Sequence, residues 1–309
     1  MKIGVLTDSS AYLTKEQCNE YNISVIPIPI IWNQKTYYDL VDIGFDEFYQ
    51  KLNTSKELPT TSQPSIGAVK KYVDQYVEQG YTDLIVITIS SGLSSFYSNV
   101  VSVANEENRI KIHPFDTKIT CAGQADAALL AAKLIKAGAG IDLIMHDLED
   151  LRNTTDVRFI VDNLNHLKRT GRLSNAASFV GILLKISPIL SIDVQNKGKI
   201  SAIAKERKYR RAYNHIEKDF SKLISDLSYP VQATIFHADD INRENDWLSN
   251  YKERFPDVNF YSSIIGPVVG VHVGQHAIAM IWCRNIESYF DKNGKPLSIS
   301  QVHSEVVDN

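Results

Sequence analysis

The chain predicts a two-domain α/β fold, an N-terminal parallel sheet wrapped by helices and a second α+β unit, the two sharing a cleft. Three observations carry that expectation. Its 309 residues exceed a usual single domain, so each half can bury its own core. Through the first half, short β-branched runs alternate with helical patterns, the rhythm of parallel strands joined by crossover helices. Past residue 160 that rhythm yields to two extended runs joined by a glycine-bearing connection.

Taken in order, Ile3 to Leu6 is the first strand and ends at Thr7-Asp8-Ser9-Ser10. A helix follows from Thr14, then the apolar run Ile23 to Ile30. Pro27 and Pro29 make that run an edge strand at best, because proline cannot donate to a ladder. Helices from Asp46 and Ser65 precede the most apolar strand, Leu84 to Ile89. A helix from Ser94, the strand Ile110 to Phe115 and a helix from Ala125 come next. Ligands of such sheets bind beyond the carboxyl ends of the strands, where Asp8-Ser9-Ser10 and Ser90-Ser91 fall. Asp142 to Asn153 reads as a helix with Leu143, Ile144, Leu148 and Leu151 on one side. After Phe159-Ile160-Val161 the pattern changes, placing a domain boundary near 160 and the domains at 1–160 and 161–284.

In the second unit, Ile186 to Val194 and Ile200 to Lys205 form a hairpin-like pair about Gln195-Asn196-Lys197-Gly198-Lys199. Helices from Tyr209 and Asn242 and strands Gln232 to Phe236, Asn259 to Ile265 and Ala277 to Cys283 complete it. The extension 285–309 is polar and expected to be peripheral.

The formal charge of −3 argues against non-specific nucleic-acid binding, which needs a basic stripe. Three widely spaced cysteines, Cys18, Cys121 and Cys283, give neither a disulfide framework nor a zinc site and fit a reduced, cytoplasmic compartment. The N-terminal apolar run is too short for a signal peptide, and no stretch of about 18 apolar residues appears, so a soluble protein is expected. No P-loop, no G-x-G-x-x-G and no metal-ligand spacing is present, so no metal and no intrinsic cofactor is expected.

Three short segments carry the chemistry: Pro59-Thr60-Thr61-Ser62-Gln63-Pro64-Ser65, Ser90-Ser91-Gly92-Leu93-Ser94 and Gly270-Val271-His272-Val273-Gly274. Backbone N–H groups at helix starts are unpaired and receive anions, so the three together suggest one carboxylate or phosphate site. The plain alternative for the hydroxyls is capping and turning, with Ser65 as an N-cap. Gly92, directly after a strand, would let the backbone approach a ligand. His272 reads as a lone histidine in a glycine-flanked loop. Lys168, Arg169 and Arg172 form a basic knot at the junction, either a solvated helix end or a docking patch for an acidic or phosphate-bearing partner.

Taken together these segments resemble the DegV family of bacterial fatty-acid-binding proteins, over nearly the whole chain from Lys2 to about Cys283. Thr7-Asp8-Ser9-Ser10, Asp116-Thr117, Leu167-Lys168-Arg169-Thr170-Gly171-Arg172-Leu173-Ser174 and Lys185-Ile186-Ser187-Pro188-Ile189-Leu190 complete the match. The resemblance implies a smaller C-terminal α/β domain and one acyl chain buried between the domains. It implies that the carboxylate is held by hydroxyls of Thr61 and Ser94 and by His272, with Ser62 and Ser91 sharing the role. It further implies a carrier that presents the bound acid to a separate fatty-acid kinase for acyl-phosphate formation and phospholipid synthesis. Lys168, Arg169 and above all Arg172 would dock that kinase or steady the phosphate. Phe179, Ile182, Leu183, Leu184, Ile186, Ile189 and Leu190 are the candidate acyl-slot residues, each equally readable as ordinary core.

The chain departs from the family at Thr170-Gly171, where two glycines are usual, and at Gln275-His276, where Pro-Gly is usual. Ser95, Cys121 and Ala125 also differ, which bears on chain-length preference and on the shape around the carboxylate. A slot between two domains would take its acid from membrane by transient contact. Two rivals stand beside the carrier. One is a binding module for a phosphorylated small molecule. The other is a serine hydrolase using Ser94 with His272 as base, although Gly92-Leu93-Ser94-Ser95-Phe96 lacks the last glycine of a nucleophile elbow.

Overall fold

The computed structural model describes residues 2–175 and 186–304. Three sheets organise them. The first is fully parallel in the order β2-β1-β6-β7, from β1 (Ile3–Asp8), β2 (Ile23–Ile26), β6 (Asp83–Thr88) and β7 (Lys111–Asp116). Period-2 alternation divides its side chains cleanly. Leu6, Leu84 and Val86 pack under α3 (Ile66–Glu78) and α4 (Phe96–Glu106), while Val5, Ile85 and Ile87 face α5 (Ala122–Lys136) and α6 (Ile141–Thr154).

The second sheet has six strands in the order β10-β9-β8-β13-β11-β12, built from β8 (Asp156–Ile160), β9 (Ser187–Ile192), β10 (Ile200–Glu206), β11 (Val231–His237), β12 (Asn259–Ile264) and β13 (Ile278–Arg284). All its pairings are antiparallel except β11 with β12. Helices α8 (Tyr209–Ser225) and α9 (Ile241–Arg254) cover its outer face, where Phe220, Trp247 and Tyr251 are fully buried. Helix α5 is buried nearly all round, through Ala127, Ala128, Leu130, Ala131 and Ala132, and its small side chains let it lie between the two large sheets.

Local signals explain some helix starts. Thr14 and Gln17 form a reciprocal capping box at α1 (Lys15–Tyr21), and Ser65 accepts from the Ala68 N–H at 3.1 Å, the predicted N-cap. Other expectations are corrected. The run Ile23 to Ile30 breaks at Pro27: β2 is indeed an edge strand, but Pro29 onwards becomes β3 (Pro29–Trp32) of a separate antiparallel sheet, β4-β3-β5, with β4 (Lys35–Tyr38) and β5 (Thr60–Thr61). Phe159-Ile160 belongs to β8, third strand of the six-stranded sheet, rather than to the first sheet. The segment beyond Asn285 is packed rather than peripheral, since Ile286, Tyr289, Leu297 and Val302 are buried in the cluster formed by α5 and α6. Leu167, Lys168 and Arg169 lie in the short helix α7 (Asn165–Arg169), whose last turn is basic. Among the described residues no helix is long and apolar enough to cross a membrane.

Candidate functional site

The short strand β5 delivers Thr61. Its backbone pairs with Ile30 of β3, and the Ser62 N–H donates to the Pro29 carbonyl at 3.0 Å, so the T-T-S-Q segment is fixed as a sheet edge. Opposite Thr61 stands His272, and Thr61 Oγ1 lies 2.8 Å from His272 Nε2. His272 is not in a loop, as its flanking glycines suggested, but near the end of α10 (Pro267–Val273). Proline opens that helix at its first position, and Gly274, at φ 76°, ends it. Gly270 serves close approach: a Cβ there would stand 2.6 Å from Tyr49 Oη and 2.7 Å from the Phe48 ring of α2 (Phe45–Thr54). The Val269 N–H donates to Tyr12 Oη at 3.0 Å, and Tyr49 Oη donates to the Ile265 carbonyl at 2.7 Å. Helix α10 of the second half is thereby wedged against the first.

Ser94 follows β6. Its Oγ accepts from the Phe96 N–H at 3.2 Å in the first turn of α4, so its own hydrogen remains to donate. The rest of that loop is spent on structure. Ser90 Oγ donates to the Gly198 carbonyl at 2.7 Å, and a Cβ on Gly92 would collide with the Lys197 and Gly198 carbonyls. Gly92 therefore admits the β9–β10 turn rather than a ligand. Ser91 Oγ donates to Asp116 at 2.5 Å, outside the cavity that the other candidates share. The crevice between the ends of β1 and β6 is likewise filled: Asp8 accepts from the Ile89 N–H at 2.8 Å and from Ser10 Oγ at 2.5 Å.

Thr61, Ser62, Ser94, Thr120, Arg172 and His272 line one cavity of about 60 Å³, closed on its apolar side by Ile28, Ile89, Leu93, Ile200, Val268 and Val273. That volume suits a head group. Arg172 reaches across the halves, donating through Nε to the Leu93 carbonyl at 3.1 Å and through Nη1 to the Thr170 carbonyl at 2.6 Å. Arg169 does the same to the other hydroxyl segment, donating to the Pro59 carbonyl at 3.0 Å. Lys168 does not line the cavity.

Burial, then the charges of Arg172 and Arg169 and the neighbouring His166, hold the His272 imidazole down at about 3, so it is neutral at physiological pH. Its Nδ1 is sealed from solvent without a hydrogen-bond partner among the described residues. Orphaned buried N–H groups are rare, and on that ground the proton is assigned to Nε2. Thr61 Oγ1 then accepts from the imidazole, and its hydroxyl hydrogen is left to point at an anion. The cavity thus offers neutral hydroxyl donors beside one guanidinium, an arrangement that compensates a desolvated carboxylate.

No Ser94–His272 hydrogen bond joins nucleophile to base, and no carboxylate orients Nδ1, so a hydrolytic triad is absent among the described residues. His276 lies at φ 62° and faces Asp240 at 3.5 Å, outside the cavity. Among the described residues no group of three or more His, Cys, Asp or Glu could hold a metal ion.

The acyl-slot candidates divide. Phe179, Ile182, Leu183 and Leu184 lie outside the described residues. Leu190 is buried in the cluster that the six-stranded sheet forms with β3, α2 and α10, with Ile186 packed against it. Ile189 is corrected: one residue earlier on β9, it points to the opposite face and packs beneath α8. Sequence reading missed Thr120, Ile28, Ile200 and Val268 altogether.

Comparison with known proteins follows the same outline. A family model described as an uncharacterised protein of the DegV family matches residues 2–285. Protein DegV of Bacillus subtilis is 37% identical over 290 residues, covering 92% of this chain and 99% of its own. The crystal structure of DegV, a fatty acid binding protein from Bacillus subtilis, superposes with a TM-score of 0.85 at 34% identity, covering 92% of this chain and 100% of that one. A fatty acid binding DegV family protein from Streptococcus agalactiae gives a TM-score of 0.84 at 30% identity, covering 92% and 99%.

Proposed function

The chain belongs to the DegV family, and from that premise we propose that it binds one long-chain fatty acid, its carboxylate in the cavity of Thr61, Ser94, Arg172 and His272. The observation that carries this reading is the meeting of neutral donors and one guanidinium in a head-group-sized space, 2.8 Å separating Thr61 Oγ1 from His272 Nε2. The similarity to fatty-acid-binding structures over 92% of the chain supports it. Each methylene removed from water contributes about 0.8 kcal/mol, so an apolar chain lodged in the core between the sheets supplies most of the affinity. The polar groups then select an acid, because a buried carboxylate is costly without partners.

The finer reading is that the protein presents this carboxylate, in the cytoplasm, to a separate fatty-acid kinase that converts it to an acyl phosphate for phospholipid synthesis, and that it collects the acid by transient contact with membrane. Exposed Arg169 beside the cavity supports a docking role for the basic segment, with Lys168 next to it in sequence. That Arg172 lines the cavity supports a contact from its guanidinium to carboxylate or phosphate.

Native mass spectrometry of the purified protein, followed by mass spectrometry of its lipid extract, tests the reading. A stoichiometric free fatty acid is the expected result. A protein that carries none and takes up no added oleate would remove the fatty-acid assignment and favour a phosphorylated small molecule.

A further inference from the structure

We propose that Thr120 is a further head-group residue, a neutral donor to a carboxylate acceptor position that Thr61 and Ser94 leave unfilled. The proposal rests on the fatty-acid reading of the cavity and deepens it. Thr120 is 7% exposed, and its Oγ1 is shielded from solvent with no oxygen or nitrogen hydrogen-bond partner among the described residues. Native structures keep few such hydroxyls, and each calls for a reason. This one lines the cavity that Thr61, Ser94, His272 and Arg172 share. The Thr120 hydroxyl makes a side-chain hydrogen bond to the Cys121 thiol, and sulfur is a weak acceptor that a carboxylate oxygen would replace with gain.

The backbone around Thr120 is held from both sides. The Ile119 carbonyl accepts from the Ser90 N–H at 2.8 Å, and the Cys121 N–H donates to the Ser10 carbonyl at 2.9 Å. Cys121 is held at φ 54°, ψ −135°, which L residues rarely adopt. Strain of this kind persists only where the surroundings over-determine it, and it clusters at functional positions. Its effect here is to fix the preceding residue, Thr120, at the entry to α5, where the positive end of the helix dipole also favours an anion.

Donor accounting leads to the same residue. An ionised carboxylate has two oxygens and about four acceptor positions. Thr61, Ser62 and Ser94 offer one hydrogen each, and Arg172 already commits Nε and Nη1 to backbone carbonyls. A fourth hydroxyl, arriving from the segment between β7 and α5, fills a further position on a rigid support.

The test uses the full chain, titrated with oleate, alongside Thr120→Val, which keeps the branched shape without the hydroxyl, and Thr120→Ser, which keeps the hydroxyl. The melting midpoint of each is measured without added ligand. Thr120→Val should lose about tenfold in oleate affinity with a midpoint unchanged or raised, because a buried hydroxyl paired only with sulfur has been removed; Thr120→Ser should stay within about threefold of the parent. Equal affinity in Thr120→Val and the parent would overturn the proposal. So would a loss of affinity matched by a lowered midpoint, which marks a structural hydroxyl. Failure of the parent itself to bind oleate would instead overturn the fatty-acid reading on which the proposal stands.

Discussion

The hydroxyl segments of the first half and α10 of the second bring their groups to one cavity by different means. Thr61 stands on a paired strand and Ser94 at the first turn of α4, on backbone that local hydrogen bonding already fixes. His272 rides on a seven-residue helix too short to be stable alone, and its position comes from docking: Tyr12 and Tyr49 hold its entry, and aromatic rings press on Gly270. The hydroxyl positions therefore depend on the first half, whereas the Thr61–His272 contact depends on the fit between halves.

Breaking that fit should have the largest effect. Gly270→Val would push a branched side chain into Tyr49 and Phe48, at a cost of about 3 kcal/mol. Urea unfolding should show that loss, and oleate affinity should fall at least tenfold with it. Unchanged affinity would mean that α10 does not position the head-group site.

A pH series separates the imidazole from the hydroxyls. The folded chain holds His272 near 3, through burial first and then Arg172, Arg169 and His166, against about 6.5 when unfolded. Between those values the unfolded chain takes up a proton that the folded one refuses, so stability falls as pH drops through the window and is unaffected above it. The parent should therefore lose stability relative to His272→Gln below pH 6.5, by at most about 1.4 kcal/mol per pH unit. Parallel curves for the two proteins would contradict a neutral His272.

Arg172→Ala should weaken oleate binding by about tenfold or more, since charge-assisted contacts to a carboxylate are worth about 1.5 kcal/mol or more. The expectation follows from Arg172 lining the cavity, and it adds carboxylate binding to the kinase-docking or phosphate-steadying role that the resemblance implies. The smallest effect sharpens the contrast between the two faces of β9. Ile189→Val should cost about 1 kcal/mol and leave oleate affinity as it was, because Ile189 packs under α8. A change in affinity would put the acyl chain on the wrong side of that sheet.

Much of the fold was legible because its signals are local. The capping residues Thr14 and Ser65 and the apolar runs of β1 and β6 need only neighbouring sequence. The misses have a common cause in contacts between distant segments. Gly270 and Gly274 made α10 resemble a loop, since glycine disfavours helix and the compensating packing on Tyr49 lies over 200 residues away. Ser91 looked equivalent to Ser94 until Asp116 claimed its hydroxyl. Ile189 and Leu190 could not be assigned to faces, because both faces of β9 are buried and its apolar run is continuous. Thr120 carries no sequence signal at all: only the folded cavity distinguishes it from Thr117, whose hydroxyl bonds to the Thr88 carbonyl.

The central claim is that a fatty-acid carboxylate is held by Thr61 and Ser94, and carbon-13 NMR of oleate labelled at the carboxyl carbon reads it directly. Bound to the full chain, the label should give one resonance distinct from free oleate, and that resonance should shift or vanish in both Thr61→Val and Ser94→Ala. A bound resonance identical in the parent and both variants would place the carboxylate elsewhere and contradict the account.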